Sequence, residues 1–224
     1  MKREINLDEI SDGKLYTHAD MVKVDCHGCQ GCSDCCHGMG DSIVLDPMDI
    51  YRLQKGTQMD FGSLVNGGYL ALNVVDGLIL PNLKMSPQRN ACSFLNEEGR
   101  CSVHQYRPGI CRMFPLGRIY DEEGFHYFLQ VYECSCTKRS KMKADKWIGI
   151  PKIQKYEAYI IQWHHFLVTC QEAMKDLQED YARILVTYVL RTFFQTPYIS
   201  KTDDEFYREW ELRMQNVKST LNLE

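Results

Sequence analysis

The alternation of apolar and polar positions divides the chain into two parts. Beyond Pro151 no glycine occurs, and residues 153–174, 175–194 and 203–221 carry apolar positions at helical spacing. Ile160, Trp163, Leu167 and Cys170 fall on one helical face. Before that point the patterned stretches are short and broken by turn residues. Asp46 is a good N-cap, Pro47 suits the first helical position, and Ile50 and Leu53 share the face that follows. Gly56 is the predicted end of that helix. Residues 70–83 read as a hairpin turning at Asp76-Gly77, with Pro81 closing its second strand. A second hairpin is expected across Asp121-Glu122-Glu123-Gly124, with strands at 116–120 and 125–132. Residues 1–25 read as a short helix and an irregular or extended lead-in. No repeat of solenoid length is present.

The expected fold is therefore α+β. A loop-rich cysteine-cluster lobe with two short β-hairpins spans residues 1–146, and a helical C-terminal region, 147–224, packs on it. With 224 residues, 44% hydrophobic and 25% charged, the chain is long enough to bury a core without help from a metal. A net charge of -4 gives no footprint for nucleic acid. No apolar run reaches the roughly 18 residues a membrane span needs. The segment from Met1 to Glu9 alternates charged and apolar residues without an apolar core, so no signal peptide is expected. These features predict a cytoplasmic address, where thiols stay reduced.

Cysteine changes this picture. There are eleven, and ten lie between Cys26 and Cys136. An odd count in a reducing compartment reads as metal ligands before disulfides. In Cys29-x2-Cys32-x2-Cys35-Cys36, spacing by three lets one loop aim several sulfurs at a common point. Gly28 and Gly31 permit the tight turns this requires. Cys35 and Cys36 are adjacent, so their side chains are expected to diverge, one serving the first site while the other serves a second or stays free. Cys92 and Cys101 bracket the turn Asn96-Glu97-Glu98-Gly99, Cys111 follows, and Cys134 and Cys136 lie past the second hairpin. Thiolate is a soft donor that selects zinc, copper(I) or iron–sulfur clusters over magnesium or calcium. Four thiolates close a structural zinc site and equally hold the corners of an iron–sulfur cubane. Ligands drawn from separate segments would couple metal binding to folding of the lobe.

Thiolates also bring charge, roughly -2 net for four around one zinc ion, which cationic neighbours must offset. Arg107 and Arg112 flank Cys111, and Arg100 precedes Cys101; they are the candidates. His27, His37 and His104 are expected as hydrogen-bonding or turn residues beside the cysteines. His164 and His165, adjacent on a helix, cannot form a paired site. Cys170 reads as a core residue and the basic run 138–146 as a solvated linker. No Gly-x-Gly-x-x-Gly fingerprint, P-loop, Gly-x-Ser-x-Gly elbow or His-Glu-x-x-His helix occurs, nor the Cys-x3-Cys-x2-Cys triplet of radical S-adenosylmethionine enzymes.

Four blocks in order, Cys29-x2-Cys32-x2-Cys35-Cys36, Cys92-Ser93-Phe94-Leu95, Arg100-Cys101-Ser102-Val103-His104 and Arg107-Pro108-x2-Cys111-Arg112-x-Phe114-Pro115, resemble the zinc- or iron-chelating CxxCxxCC family over residues 26–136. This group contains the YkgJ-type cysteine-cluster proteins and the flagellin lysine N-methylases. The resemblance implies metal held by thiolates. For the methylase branch it implies a [4Fe–4S] cluster and methyl transfer from S-adenosylmethionine to a lysine of a protein substrate. The expected ligands are Cys29, Cys32, Cys36, Cys92, Cys101 and Cys111. Cys26, Cys35, Cys134 and Cys136 complete that centre or form a second site. Zinc and iron–sulfur stay open, as do two roles, a methyltransferase and a zinc-stapled interaction module that presents its C-terminal helices to a partner.

Overall fold

The computed structural model describes residues 6–26, 32–136 and 138–223; Cys29 and His27 lie outside the described residues. The chain starts with a single helical turn, α1 (Leu7–Ile10), and two strands, β1 (Ser11–Tyr16) and β2 (Met21–Asp25). Neither strand forms a hairpin with its neighbour in sequence. β1 pairs with β8 (Gly124–Gln130), which pairs on its other side with β7 (Leu116–Asp121), giving an antiparallel sheet of order β1-β8-β7. β2 pairs with β9 (Ser140–Lys143) through Met21–Lys143 and Asp25–Ser140. The basic run is thus not a linker: it forms β9 and the start of α5 (Ala144–Ile148). Its lysines face water while Met142 faces inward opposite Val22.

Helix α2 (Pro47–Thr57) begins as its sequence predicts. The Asp46 carboxylate accepts the Asp49 N–H, and the Asp49 carboxylate accepts the Asp46 N–H, a reciprocal cap ahead of Pro47. Ile50 and Leu53 are fully buried. The helix does not stop at Gly56. It continues to Thr57, and Gln58 takes the left-handed conformation that ends it. Gly56 answers a different need, because a Cβ there would lie 2.5 Å from the Tyr106 ring. The missing side chain lets the turn at His104–Tyr106 press against α2.

After α3 (Phe61–Asn66), β3 (Leu70–Val75) and β4 (Leu78–Leu83) form the first hairpin, turning at Asp76-Gly77, both with positive φ. Pro81 does not close the strand. It sits in the ladder opposite Leu72, its carbonyl accepts the Leu45 N–H, and β4 runs on to Leu83. A short pair follows, β5 (Met85–Ser86) with β6 (Ala91–Cys92). Then come α4 (Gly109–Met113) and the β7–β8 hairpin at its expected place.

The C-terminal third is helical: α6 (Ile153–Lys175), α7 (Glu179–Leu190), a π turn over Arg191–Gln195, and α8 (Asp203–Leu221). Tyr159, Ile160, Trp163, Phe166, Leu167 and Cys170 of α6 are buried. Tyr159 meets Trp210 edge-on at 4.6 Å between ring centres, and Trp163 meets Phe193 at 5.0 Å. One apolar core runs from Val22 and Val24 through α2 to α8. Polar bonds join the helices to the cysteine lobe as well. The Tyr159 hydroxyl accepts from the Met48 N–H and donates to Asp46. Arg52 donates to Asp203 at 2.8 Å, and the Trp147 indole donates to the Phe114 carbonyl. No helix among the described residues is long and apolar enough to cross a membrane.

Candidate metal centre

Three separated segments bring five thiols together. The first is the 3-10 turn Asp34–Cys36, closed by Cys36 N–H to Ser33 O and His37 N–H to Asp34 O. Immediately after it, His37 bridges to Ala91, and the Gly38 N–H donates to the Asn90 carbonyl. These bonds set Cys36 beside the residue that follows Ala91, which is Cys92. The second segment doubles back on itself. Leu95 N–H bonds to Cys92 O, Asn96 closes the next turn by accepting the Arg100 N–H, and Leu95 bridges to Cys101. Cys101 therefore returns to Cys92. The third segment is α4, which carries Cys111. Its first residue, Gly109, donates its N–H to Asp49 Oδ1 at 2.8 Å, tying α4 to the cap of α2.

Cys35 Sγ and Cys36 Sγ stand 4.0 Å apart. The divergence expected of neighbouring cysteines is corrected here: the tight turn at Asp34–Cys36 lets both sulfurs reach one region. With Zn–S bonds of about 2.3 Å in a tetrahedron, two sulfurs on one zinc lie roughly 3.8 Å apart. The pair loses its first proton more readily than an ordinary thiol. The Cys36 S–H bonds to the Cys35 thiolate, and the charge of Arg107 adds to that effect. The second proton is held more tightly for the same reason, and because of burial and the nearby Cys101 and Cys92 thiols. Burial pushes Cys92, Cys101 and Cys111 up, and each feels the charge on Cys35. Five thiols within electrostatic reach of one another do not ionise together without a compensating cation.

Arg107 supplies part of that compensation. Its charge acts on Cys35 and Cys101, and its Nε is buried with no partner among the described residues. Its guanidinium also meets His104 Nε2. Arg112 does different work. Its guanidinium donates to the carbonyls of Arg107 and Gln105 and so fixes the turn before α4. Burial and the nearby Arg52 and Arg107 lower its pKa to about 10. His37 lies 3.4 Å from Ser33 Oγ, as a hydrogen-bonding neighbour, and His164 stacks on Tyr120 far along the chain from any cysteine but Cys170.

Of the remaining cysteines, Cys32 meets Asp34 directly and Cys134 and Cys136 flank a residue that Asp34 holds. The Cys32 side chain bonds to the Asp34 carboxylate, which also accepts the Ser135 N–H at 2.9 Å. Cys134 and Cys136 flank Ser135, and Arg139 donates to both of their carbonyls. Cys26, 8% exposed, directly follows Asp25, which pairs with Ser140. Among the described residues, no group of three or more Cys, His, Asp or Glu side chains stands close enough to hold a metal ion as placed. The donor chemistry fits a soft metal nonetheless: clustered thiols, a 4.0 Å sulfur pair and a buried arginine nitrogen lacking a partner.

Sequence reasoning did not single out Asp34, Asp49 or Arg139. Asp49 had a local signal, since it stands three residues after the N-cap, where a carboxylate closes a capping box. Its bond to Gly109 had none. Comparison with known proteins found no curated protein and no solved structure that matches this chain. Residues 28–137 match the model of the CxxCxxCC family, described as a "putative zinc- or iron-chelating domain". Over those residues the chain carries a CxxCxxCC-family domain.

Proposed function

We infer that this protein binds zinc or iron through Cys35, Cys36, Cys92, Cys101 and Cys111. The gathering of these thiols from three separated segments, beside Arg107, carries the reading. Any four of the five suffice for a tetrahedral metal, and the same donors hold an iron–sulfur cluster. Family resemblance favours the cluster. Arg107 offsets thiolate charge, and Asp49 positions Cys111 through the Gly109 N–H. The cytosol is the compartment in which these thiols stay reduced.

The test is purification without oxygen, followed by assay of zinc, iron and acid-labile sulfide alongside the visible spectrum. Iron with matching sulfide and a brown absorption band supports the cluster. Zinc without colour supports a structural chelate. A folded protein with reduced thiols and neither metal refutes the reading.

One observation favours methyl transfer as a second reading. An open cleft of about 430 Å³, lined by His37, Arg89, Asn96, Glu97 and Gly99, borders the segment carrying Cys92 and Cys101. That volume lies within the range of small-ligand sites. Glu97 offers a carboxylate of the kind that ribose hydroxyls take. S-adenosylmethionine bound there would sit beside the metal, with a lysine of a protein as acceptor. Methyl transfer that persists in metal-free protein would refute a role for the centre.

A further inference from the structure

The basic run forms a strand, so its lysines are held at fixed spacing. We propose that β9 is a docking edge for an extended acidic segment of a partner protein, which adds to the β2–β9 ribbon as a third strand. The inference goes beyond metal binding and does not rest on it.

The ribbon has an inner and an outer face. Val22 and Val24 of β2 are buried, and Met142 of β9 stands opposite Val22. Met21, Lys23, Lys141 and Lys143 alternate with them and are exposed. The two strands hold one acid between them, Asp25, at the end of the ladder, where it accepts from Ser140 Oγ at 2.9 Å. Among the described residues Lys23, Lys141 and Lys143 make no salt bridge. Like charges on paired strands destabilise a sheet, yet they gather here in a chain whose net charge is -4. Lys138 and Lys146, both exposed, carry the same charge beyond each end of β9.

The strand edge is the second observation. Among the described residues β9 pairs with β2 alone, so its other edge presents N–H and C=O groups with no strand beside them. Both ends of β9 are pinned, Ser140 to Asp25 at one, and the Ala144 and Asp145 N–H groups to the carbonyls of Asp20 and His18 at the other. A pinned edge loses little freedom when a partner pairs with it. Its chemistry selects the partner. An open edge alternates donors and acceptors, and another strand supplies both. The phosphates of nucleic acid or of an anionic lipid only accept, so they satisfy the lysines and leave the edge carbonyls unmet. A second copy of β9 would set lysine against lysine. Lys141 and Lys143 lie two residues apart on one face, about 6.7 Å along the strand. Carboxylates at alternate positions of an incoming strand have the same spacing, and the residues between them lie on the face of Met142. The segment that fits therefore alternates acidic and apolar residues.

The test follows the fluorescence anisotropy of a labelled peptide of alternating Glu and Val, added to the full chain at low salt. Saturable binding that weakens as salt is raised is expected. Lys141→Glu/Lys143→Glu, at two exposed positions, should weaken it about tenfold. The same peptide N-methylated along its whole backbone keeps every carboxylate but has no N–H to give, and it should not bind. Hydrogen exchange on the unmodified chain should slow within residues 140–143 when the unmethylated peptide is added, which reads the edge without any variant. No binding, equal binding of the N-methylated peptide, or an unchanged exchange rate in β9 overturns the proposal. Tighter binding to duplex DNA or to phosphatidylserine vesicles than to the peptide overturns the choice of partner.

Discussion

At Gly109 the segment that carries Cys111 meets α6 with no room for a side chain. A Cβ at this residue would lie 1.9 Å from the Tyr156 hydroxyl oxygen, 3.1 Å from its ring carbon and 3.7 Å from Asp49. Ordinary contact begins near 3.5 Å, so Gly109→Ala requires α4 or α6 to shift by about 1.5 Å. Overpacking of a filled core costs about 1–3 kcal/mol, and the size of this clash places it at the upper end. The Tyr156 hydroxyl is itself buried without a hydrogen-bond partner among the described residues. Tyr156→Phe removes the clashing atom and leaves only the 3.1 Å contact, which small adjustments relieve. A double-mutant cycle by urea unfolding of the zinc-loaded full chain, at fixed free zinc, reads the coupling. Gly109→Ala should cost about 2–3 kcal/mol alone and less than about 1 kcal/mol when Tyr156→Phe is already present. Tyr156→Phe alone should be near neutral, since it deletes an unpaired buried polar group. Because α4 carries Cys111, Gly109→Ala should also weaken zinc retention, and Tyr156→Phe should restore it. Additivity within about 0.5 kcal/mol would refute the argument that this glycine exists to admit Tyr156.

A further prediction concerns buried charge. Asp46 and Asp49 are buried side by side; burial, followed by the charge of Asp46, raises the Asp49 carboxyl to about 7. The folded state then keeps a proton that the unfolded chain loses near pH 4, so stability is full below about pH 4 and falls as pH rises toward about 7. Asp46→Asn keeps a good N-cap and an acceptor for the Asp49 N–H and the Tyr159 hydroxyl, while removing one of the two charges. The difference in stability between Asp46→Asn and the unmodified chain should grow in the variant's favour from about pH 4 to about pH 7, and a flat difference would refute the coupling.

What the sequence made legible follows the range of the signals. The start of α2, the turns at Asp76-Gly77 and Asp121–Gly124, and the helix 203–221 depend on residues within a few positions of one another, and these appear where expected. The β2–β9 pair was not visible. Its strands are short, nearly half their side chains are charged, and they meet across more than a hundred residues. Gly56 and Pro81 look like stop signals, but a tertiary neighbour sets the role of each. Tyr106 needs the space at Gly56, and Leu45 needs only the carbonyl of Pro81, which proline retains.

The candidate site divides along the same line. Thiols announce themselves because only cysteine offers an ionisable soft sulfur and ten of the eleven lie within residues 26–136, so the ligand inventory is readable without a fold. Their grouping is not readable, because it depends on where each segment is tied, and the ties are carboxylates and guanidiniums bonded to distant backbone. Asp34 holds the Ser135 N–H, Asp49 holds the Gly109 N–H, and Arg139 holds two carbonyls. Every residue but proline presents the same N–H, and every residue the same carbonyl. A side chain that recognises backbone therefore leaves no complementary residue at the other end to search for. Spacing can show that a set of cysteines is able to share a metal, but which of them approach one another is fixed by bonds that only the folded chain displays.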